Sequence, residues 1–391
     1  MTEEVFTRHV ASTRFEAARQ LSELPDGDKF SRLHGHGFLV SVHATDTGAQ
    51  TDSVETNSVT DQISWPPYRG GEVPAMLAAL QGRAQRLDYQ SLNEVLAEPS
   101  DGNLARWFEE GLQVLGRCAV SLQSTPEQGV VVGERLGHNS TLVWRRYRFQ
   151  AAHQLPNVAP GHKCGRMHGH GFEVVLYAVS VDAVVSYDTL DRAWATVSDE
   201  LSHRCLNEVP GLENPTSELL SSWLWQRLRP VLPTLSAVTV YETASCGATY
   251  DGQHYRIWKD FTIDSAVRYR HAVTDTGLTD PRSRLHGYTY TLRLNLCAPL
   301  DQVMGWTVDF GDVKEVFTPV FKSLDHHPLH ENPELSSVSD GDTGSIARWL
   351  FNQTQNFLPS LVRVDLYENE GCGSSVGTDL NGPVLPLIRV S

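Results

Sequence analysis

The chain has 391 residues, 40% hydrophobic and 20% charged, with a formal net charge of −15. That length exceeds one ordinary core and sets a prior of about two to three domains. The acidic balance argues against a nucleic-acid partner, which needs a basic surface to displace phosphate counterions. No apolar run approaches the ~18 residues of a membrane span. The start, Met1 to Val5, has neither the basic nor the apolar part of a secretory signal, so a cytoplasmic protein is the default expectation. Six cysteines without a C-x-x-C pair suit reduced thiols.

In chain order, the same set of landmarks recurs. The first set is Arg32-Leu33-His34-Gly35-His36 before a strand-like run, Phe38 to Ala44. A polar, turn-rich stretch from Thr45 to Pro74 reads as an inserted loop. A Leu-x4-Leu-x-Glu frame (Leu87 to Glu94), a helical Leu104-Ala105-Arg106-Trp107 and a strand ending in Leu122-Gln123 follow. The middle set is Arg166-Met167-His168-Gly169-His170, the run Phe172 to Ala178, Leu201 to Glu208, Leu220 to Trp223 and Tyr241-Glu242. The last is Arg284-Leu285-His286-Gly287-Tyr288, Leu324 to Glu331, Ile346 to Trp349 and Tyr367-Glu368. Several landmarks in one order, three times, mean three copies of one unit. Each unit reads as strand, strand, helix, helix, strand, strand, with copies over 1–136, 137–263 and 264–391. In the third copy Val313, Val316, Phe317, Val320, Phe321 and Leu324 fall on one helical face, and Pro319 is expected to kink that helix.

Only the middle copy carries a metal constellation. His168 and His170 alternate onto one sheet face, and His153 ends the preceding strand-like run. In a hairpin the three imidazoles converge, leaving the fourth position that a catalytic zinc keeps open. Isolated histidines usually cap strands, but a same-face triad favours a metal. Cys164 lies four residues before His168, and Lys163, Arg166 and a dication would lower its thiol pKa, making it a candidate base. The other five cysteines read as structural.

The middle copy resembles the 6-pyruvoyl-tetrahydropterin synthase and 6-carboxytetrahydropterin synthase family. The markers are Phe149-x-Ala151-Ala152-His153, Cys164-x3-His168-Gly169-His170, Pro215-Thr216-Ser217-Glu218 and Tyr241-Glu242-Thr243. The Cys-x3-His spacing is closer to the carboxytetrahydropterin synthases of 7-deazapurine biosynthesis. The third copy matches over Gly305 to Asp312 and at Leu324-Asp325-His326; the first matches weakly.

The resemblance implies an α+β fold of three tandem tunnelling-fold modules, closing as a pseudo-trimer into one antiparallel β-barrel with helices outside. It implies Zn2+ on His153, His168 and His170, catalysis by Cys164, and a pterin held by Glu242 or Glu368 with Thr216 nearby. It also implies an Asp-His pair reaching across from a neighbouring module. That pair survives as Asp325-His326 in the third copy, while the middle copy reads Ser202-His203 and the first Asp88-Tyr89. Arg19 and Phe30 stand at the first-histidine and cysteine positions of the first copy, and Gln123 at the pterin carboxylate. In the third copy Val273, Tyr288 and Arg282 are expected at the first histidine, third histidine and cysteine.

The resulting expectation is a zinc-dependent lyase acting on the side chain of a dihydropterin such as 7,8-dihydroneopterin triphosphate, with Cys164 paired to His326 or His203. The rivals are pyruvoyl-type triphosphate elimination, another pterin, and a non-catalytic pterin-binding or scaffold protein. A homodimer formed by stacking two rings stays open.

Overall fold

The computed structural model describes residues 4–22, 29–46, 71–115, 118–133, 136, 139–181, 185–269, 281–337, 341–369 and 371–379. Twelve strands form the barrel: β1 Phe6–Arg19, β2 His34–Asp46, β3 Cys118–Thr125, β4 Gln128–Gly133, β5 Ser140–His153, β6 His168–Val181, β7 Leu235–Thr243, β8 Cys246–Tyr250, β9 Tyr255–Val267, β10 His286–Cys297, β11 Leu361–Asn369 and β12 Cys372–Gly377. Each pairs antiparallel with its neighbours in chain order, and β12 returns to β1, from Phe6 opposite Gly377 to Val10 opposite Gly373. Closure leaves none of the twelve as a sheet edge.

Helices cover the outside: α1 Glu72–Ala84, α2 Asp101–Gly111, α3 Tyr187–Ala195, α4 Ser217–Leu228, α5 Phe310–Leu324 and α6 Thr343–Gln355. Because the strands have a lumen on one face and helices on the other, their middles are buried on both faces. Thr7 to Ser12 of β1 are all buried, whereas its last turns alternate. The helix-facing layer repeats by module: Phe15 stacks on Phe38 (4.9 Å) and Phe149 on Phe172 (5.1 Å), and Ile263 and Tyr290 hold the matching places in the third. An aromatic pair of this kind is worth ~0.5–1.5 kcal/mol beyond its buried area. Trp144, Val175 and Tyr177 belong to a separate inner cluster.

Three local devices recur. After the first helix of each module, Tyr89, His203 and His326 adopt left-handed φ of 55°, 56° and 59°. Their N–H groups donate to Glu16, Gln150 and Asp264 carbonyls, each at 2.6 Å. The left-handed turn is therefore module geometry, shared by the tyrosine, and not a signature of His326. At each hairpin tip, Gly129, Gly247 and Gly373 sit beside a register shift. A Cβ there would lie 2.5, 2.1 and 2.1 Å from the Leu122, Val240 and Leu366 carbonyl oxygens, so a side chain is excluded. The third device is the N-cap of the second helix, by Ser100, Thr216 and Asp342.

Four expectations change. The boundary near Asp264 falls inside β9; β8 ends at Tyr250 and β9 starts at Tyr255, so the chain passes between modules at that turn. The first-histidine position of the third module is Val267, which faces His286 as His153 faces His168; Val273 lies outside the described residues. Of the stretch expected as a loop from Thr45 to Pro74, Thr45 and Asp46 belong to β2 and Glu72 to Pro74 to α1, while 47–70 lie outside the described residues. Helix α5 forms as expected and continues through Pro319, but Val316 is 37% exposed while Val313, Phe317 and Leu324 are buried.

Candidate metal centre and cavity

The register of β5 on β6 brings the three histidines together. His153 stands opposite His168, and Ala151 opposite His170. Ring centroids are 4.5 Å apart for His153 and His168, 5.2 Å for His153 and His170, and 5.0 Å for His168 and His170. Nδ1 of His168 donates to the Arg166 carbonyl at 2.7 Å, and Nδ1 of His153 to the Pro215 carbonyl at 3.2 Å. Those bonds leave the Nε2 lone pairs free, the arrangement a metal-binding imidazole needs. Nε2 of His153 and of His170 is buried without a hydrogen-bond partner, a costly state that a metal would relieve.

Glu242 completes the group, with Oε1 3.6 Å from His170 Nε2 and 4.0 Å from His153 Nε2. One ligand-capable atom from each of the four residues lies within 4.8 Å of the others. Burial is the main cause that lowers the pKa of His153 and His170, and Glu242 opposes it, so both rings tend to the neutral, ligating form. The donor set fits zinc.

This cluster opens into a cavity of about 770 Å³ at the seam between the middle and third modules. The middle module contributes Cys164, His168, His170, Thr216, Glu218, Glu242 and Cys246. The third contributes Lys259 from β9 and Trp306 to Lys314 around the start of α5. The seam is bonded tightly: Asn214 Nδ2 donates to the Met304 carbonyl at 2.7 Å, and Glu218 Oε1 accepts from Thr307 N–H at 2.8 Å. Burial raises the Glu218 pKa to about 7, against those hydrogen bonds. The Thr216 hydroxyl is committed, capping Leu219 N–H and donating to the Gly305 carbonyl.

Cys164 departs from expectation. Burial and then the Glu242 carboxylate push its thiol pKa up, and Lys163 only partly offsets them. Lowering it falls to a bound cation. Cys246, read as structural from sequence, lines the same cavity beside Thr243 Oγ1 at 3.0 Å.

The two carboxylates between which the sequence could not choose are differently placed. Glu242 faces the cavity, with Ser217 Oγ donating to its Oε2 at 2.8 Å. Glu368 is buried and accepts from the Tyr269 hydroxyl at 3.0 Å, beside a void of only about 10 Å³. Asp325 accepts from Asp264 N–H at 3.0 Å and from His326 Nδ1 at 3.0 Å, so the pair is formed. His326 is 76% exposed. Neither member of that pair, nor the exposed His203, is among the cavity-lining residues.

Among the described residues, no helix is long and apolar enough to cross a membrane. The family model for 6-pyruvoyl tetrahydropterin synthase matches this chain twice, over residues 142–253 and 256–378, more than half its length. A 6-carboxy-5,6,7,8-tetrahydropterin synthase from Synechocystis is 33% identical over 120 residues, covering 28% of this chain and 92% of the relative. A dihydroneopterin monophosphate aldolase from Pyrococcus furiosus is 33% identical over 91 residues, 22% of this chain and 75% of the relative. The structure of 6-pyruvoyl tetrahydropterin synthase from Caenorhabditis elegans is 22% identical, covers 29% of this chain and 96% of its own, and superposes with a TM-score of 0.26.

Proposed function

Because the chain belongs to the 6-pyruvoyl tetrahydropterin synthase family, we propose that its middle module is the working site of a zinc-dependent lyase. The substrate is a dihydropterin such as 7,8-dihydroneopterin triphosphate, and the reaction is of the 6-carboxytetrahydropterin synthase type. The observation that carries this reading is convergence: three imidazoles and a carboxylate meet in one cluster, and His168, His170, Glu242 and the Cys164 thiol line the cavity onto which it opens. Two of three modules lack the triad, which motivated the rival of a scaffold protein. The open cavity and orphaned imidazole nitrogens favour an enzyme over that rival.

His153, His168 and His170 would hold the zinc, which supplies a Lewis acid for side-chain oxygens. Glu242, oriented by Ser217, accepts two parallel N–H bonds from the guanidine-like edge of the pterin. Trp306, Val308 and Phe310 exclude water from one wall, while Lys163, Arg166, Lys259 and Lys314 offer cations to a phosphorylated tail. Cys164 Sγ takes the proton from the side-chain carbon. The Asp325-His326 pair is formed outside the cavity lining, so it would have to reach the substrate across the seam to serve as partner acid/base, with Asp325 fixing the His326 tautomer.

A second reading, cleavage of a monophosphorylated dihydroneopterin, is favoured by the 33% identity with the Pyrococcus furiosus aldolase. Incubating the metal-loaded protein with both dihydropterins and identifying products by mass spectrometry separates the two. A carboxylated tetrahydropterin supports the first reading, a hydroxymethyl pterin the second, and no product from either returns the scaffold rival.

A further inference from the structure

The turn that carries Cys164 is tied, through one imidazole, to the neighbouring module. His162 caps the short 3-10 turn Lys163–Gly165, its Nδ1 accepting from Cys164 N–H at 3.2 Å. That contact uses the Nδ1 lone pair, which puts the neutral ring's proton on Nε2. Nε2 faces Asp309 Oδ2 of the third module at 3.4 Å, with the two side chains 29% and 20% exposed. The other oxygen, Asp309 Oδ1, accepts from Gly311 N–H and caps α5. A continuous line of polar contacts therefore runs from the start of a third-module helix to the backbone of Cys164. The surrounding loop is anchored at the same seam, Asn157 Nδ2 donating to the Val303 carbonyl at 2.6 Å, and the Trp306 ring lies 6.2 Å from His162. His162, Cys164 and Asp309 all line the cavity.

We propose that His162 is a positioning residue through which Asp309 of the third module sets the Cys164 turn in the cavity. The thiol is then placed correctly only while the seam between the middle and third modules is closed. This deepens the proposed role of Cys164 and rests on it for its effect on turnover, but not for its effect on the thiol.

The test uses the full chain and two variants that spare the caps. Asp309→Asn keeps an oxygen for Gly311 N–H but offers an amide to His162. His162→Asn keeps an oxygen for Cys164 N–H but is too short to reach Asp309, and leaves the Asp309 charge in place. Alkylation of Cys164 by iodoacetamide is followed on its own peptide by mass spectrometry, alongside metal content, melting temperature, kcat and KM. Each variant should alkylate Cys164 about three- to tenfold faster, and the double variant no faster than the faster single one. Cys246 alkylation and metal content should stay constant, and kcat should fall with KM unchanged. Acceleration in His162→Asn separates positioning from loss of a nearby charge. A wild-type alkylation rate in either folded variant, or additive rates in the double variant, overturns the proposal. A protein that turns over no dihydropterin would instead overturn the functional reading, and the alkylation rates would still decide this one.

Discussion

The first and middle modules build one strand-end site in two incompatible ways. Arg19 faces His34 across the sheet, as His153 faces His168. In the middle module that position leaves a buried, unpartnered Nε2 beside His168, His170 and Glu242. In the first it carries a guanidinium, buried to 3% exposure and bound to Asp101 at 2.6 Å. Asp101 also accepts from Ser124 Oγ and from Tyr187 OH of the second module, each at 2.5 Å. His34 and His36 remain, ring centroids 5.6 Å apart, with buried and unpartnered Nε2 atoms. One substitution therefore exchanges a place for a removable ion for a permanent positive charge with its own counter-ion. The third module does neither: Val267 takes the position, and Tyr269 fills the space by binding Glu368.

The largest expected contrast lies within the middle site. His168→Ala should lose both metal and turnover. Cys164→Ala should keep close to one metal per chain while turnover falls by about 10²–10⁴-fold. Metal analysis beside an activity assay reads both, and normal turnover in Cys164→Ala removes the thiol from the chemistry.

The next concerns the first module. Arg19→Ala leaves Asp101 buried and uncompensated, which should cost roughly 3–5 kcal/mol in urea denaturation. Arg19→His restores an imidazole beside His34 and His36 and should raise metal content from one towards two per chain. Unchanged stoichiometry would show that the imidazole alone does not restore a metal site where Gln123 stands in place of Glu242.

Smaller still is the division of labour between modules. His326→Ala should lower turnover by about 10²-fold and His203→Ala very little, if the Asp-His pair serves the middle site across the seam. The reverse result, with both variants folded and metal-loaded, would confine the chemistry to the middle module.

The smallest effect is on stability. Glu218 has its folded pKa raised to about 7. A raised carboxyl favours the protonated folded state, so its contribution declines as pH rises towards 7. Glutamine does not titrate. The melting temperature of Glu218→Gln minus that of the parent should therefore increase between pH 5.5 and pH 8 in chelator-treated protein. A flat difference would mean that Glu218 is ionised throughout.

The histidine triad is legible because period-2 alternation and a hairpin fix it locally, within the stretch from His153 to His170. The third-module wall was not. Lys259 and Trp306 to Lys314 are remote in sequence from Cys164, and only the closed sheet brings them to it. Val273 is displaced by Val267 because counting back from His286 along the chain carries no register, whereas the pairing of β9 with β10 does. The repeated Gly129, Gly247 and Gly373 form a landmark only when the three copies are aligned, since a single glycine in a strand has many ordinary causes. The sequence could not rank Glu242 and Glu368, because what separates them is Tyr269, close to one carboxylate in space but 99 residues away along the chain.

The pairing of β12 with β1 has a consequence for how this molecule behaves on dilution. A ring of three separate chains obeys mass action and comes apart as its concentration falls, taking any shared active site with it. Here the three modules are covalently linked, so the local concentration of each partner for the next is set by the linkers and not by the amount of protein present. The cavity at the second seam should therefore persist at nanomolar protein, where a ring of loosely held subunits would already have separated. Each seam also meets only one counterpart, so a change at one does not have to suit the other two.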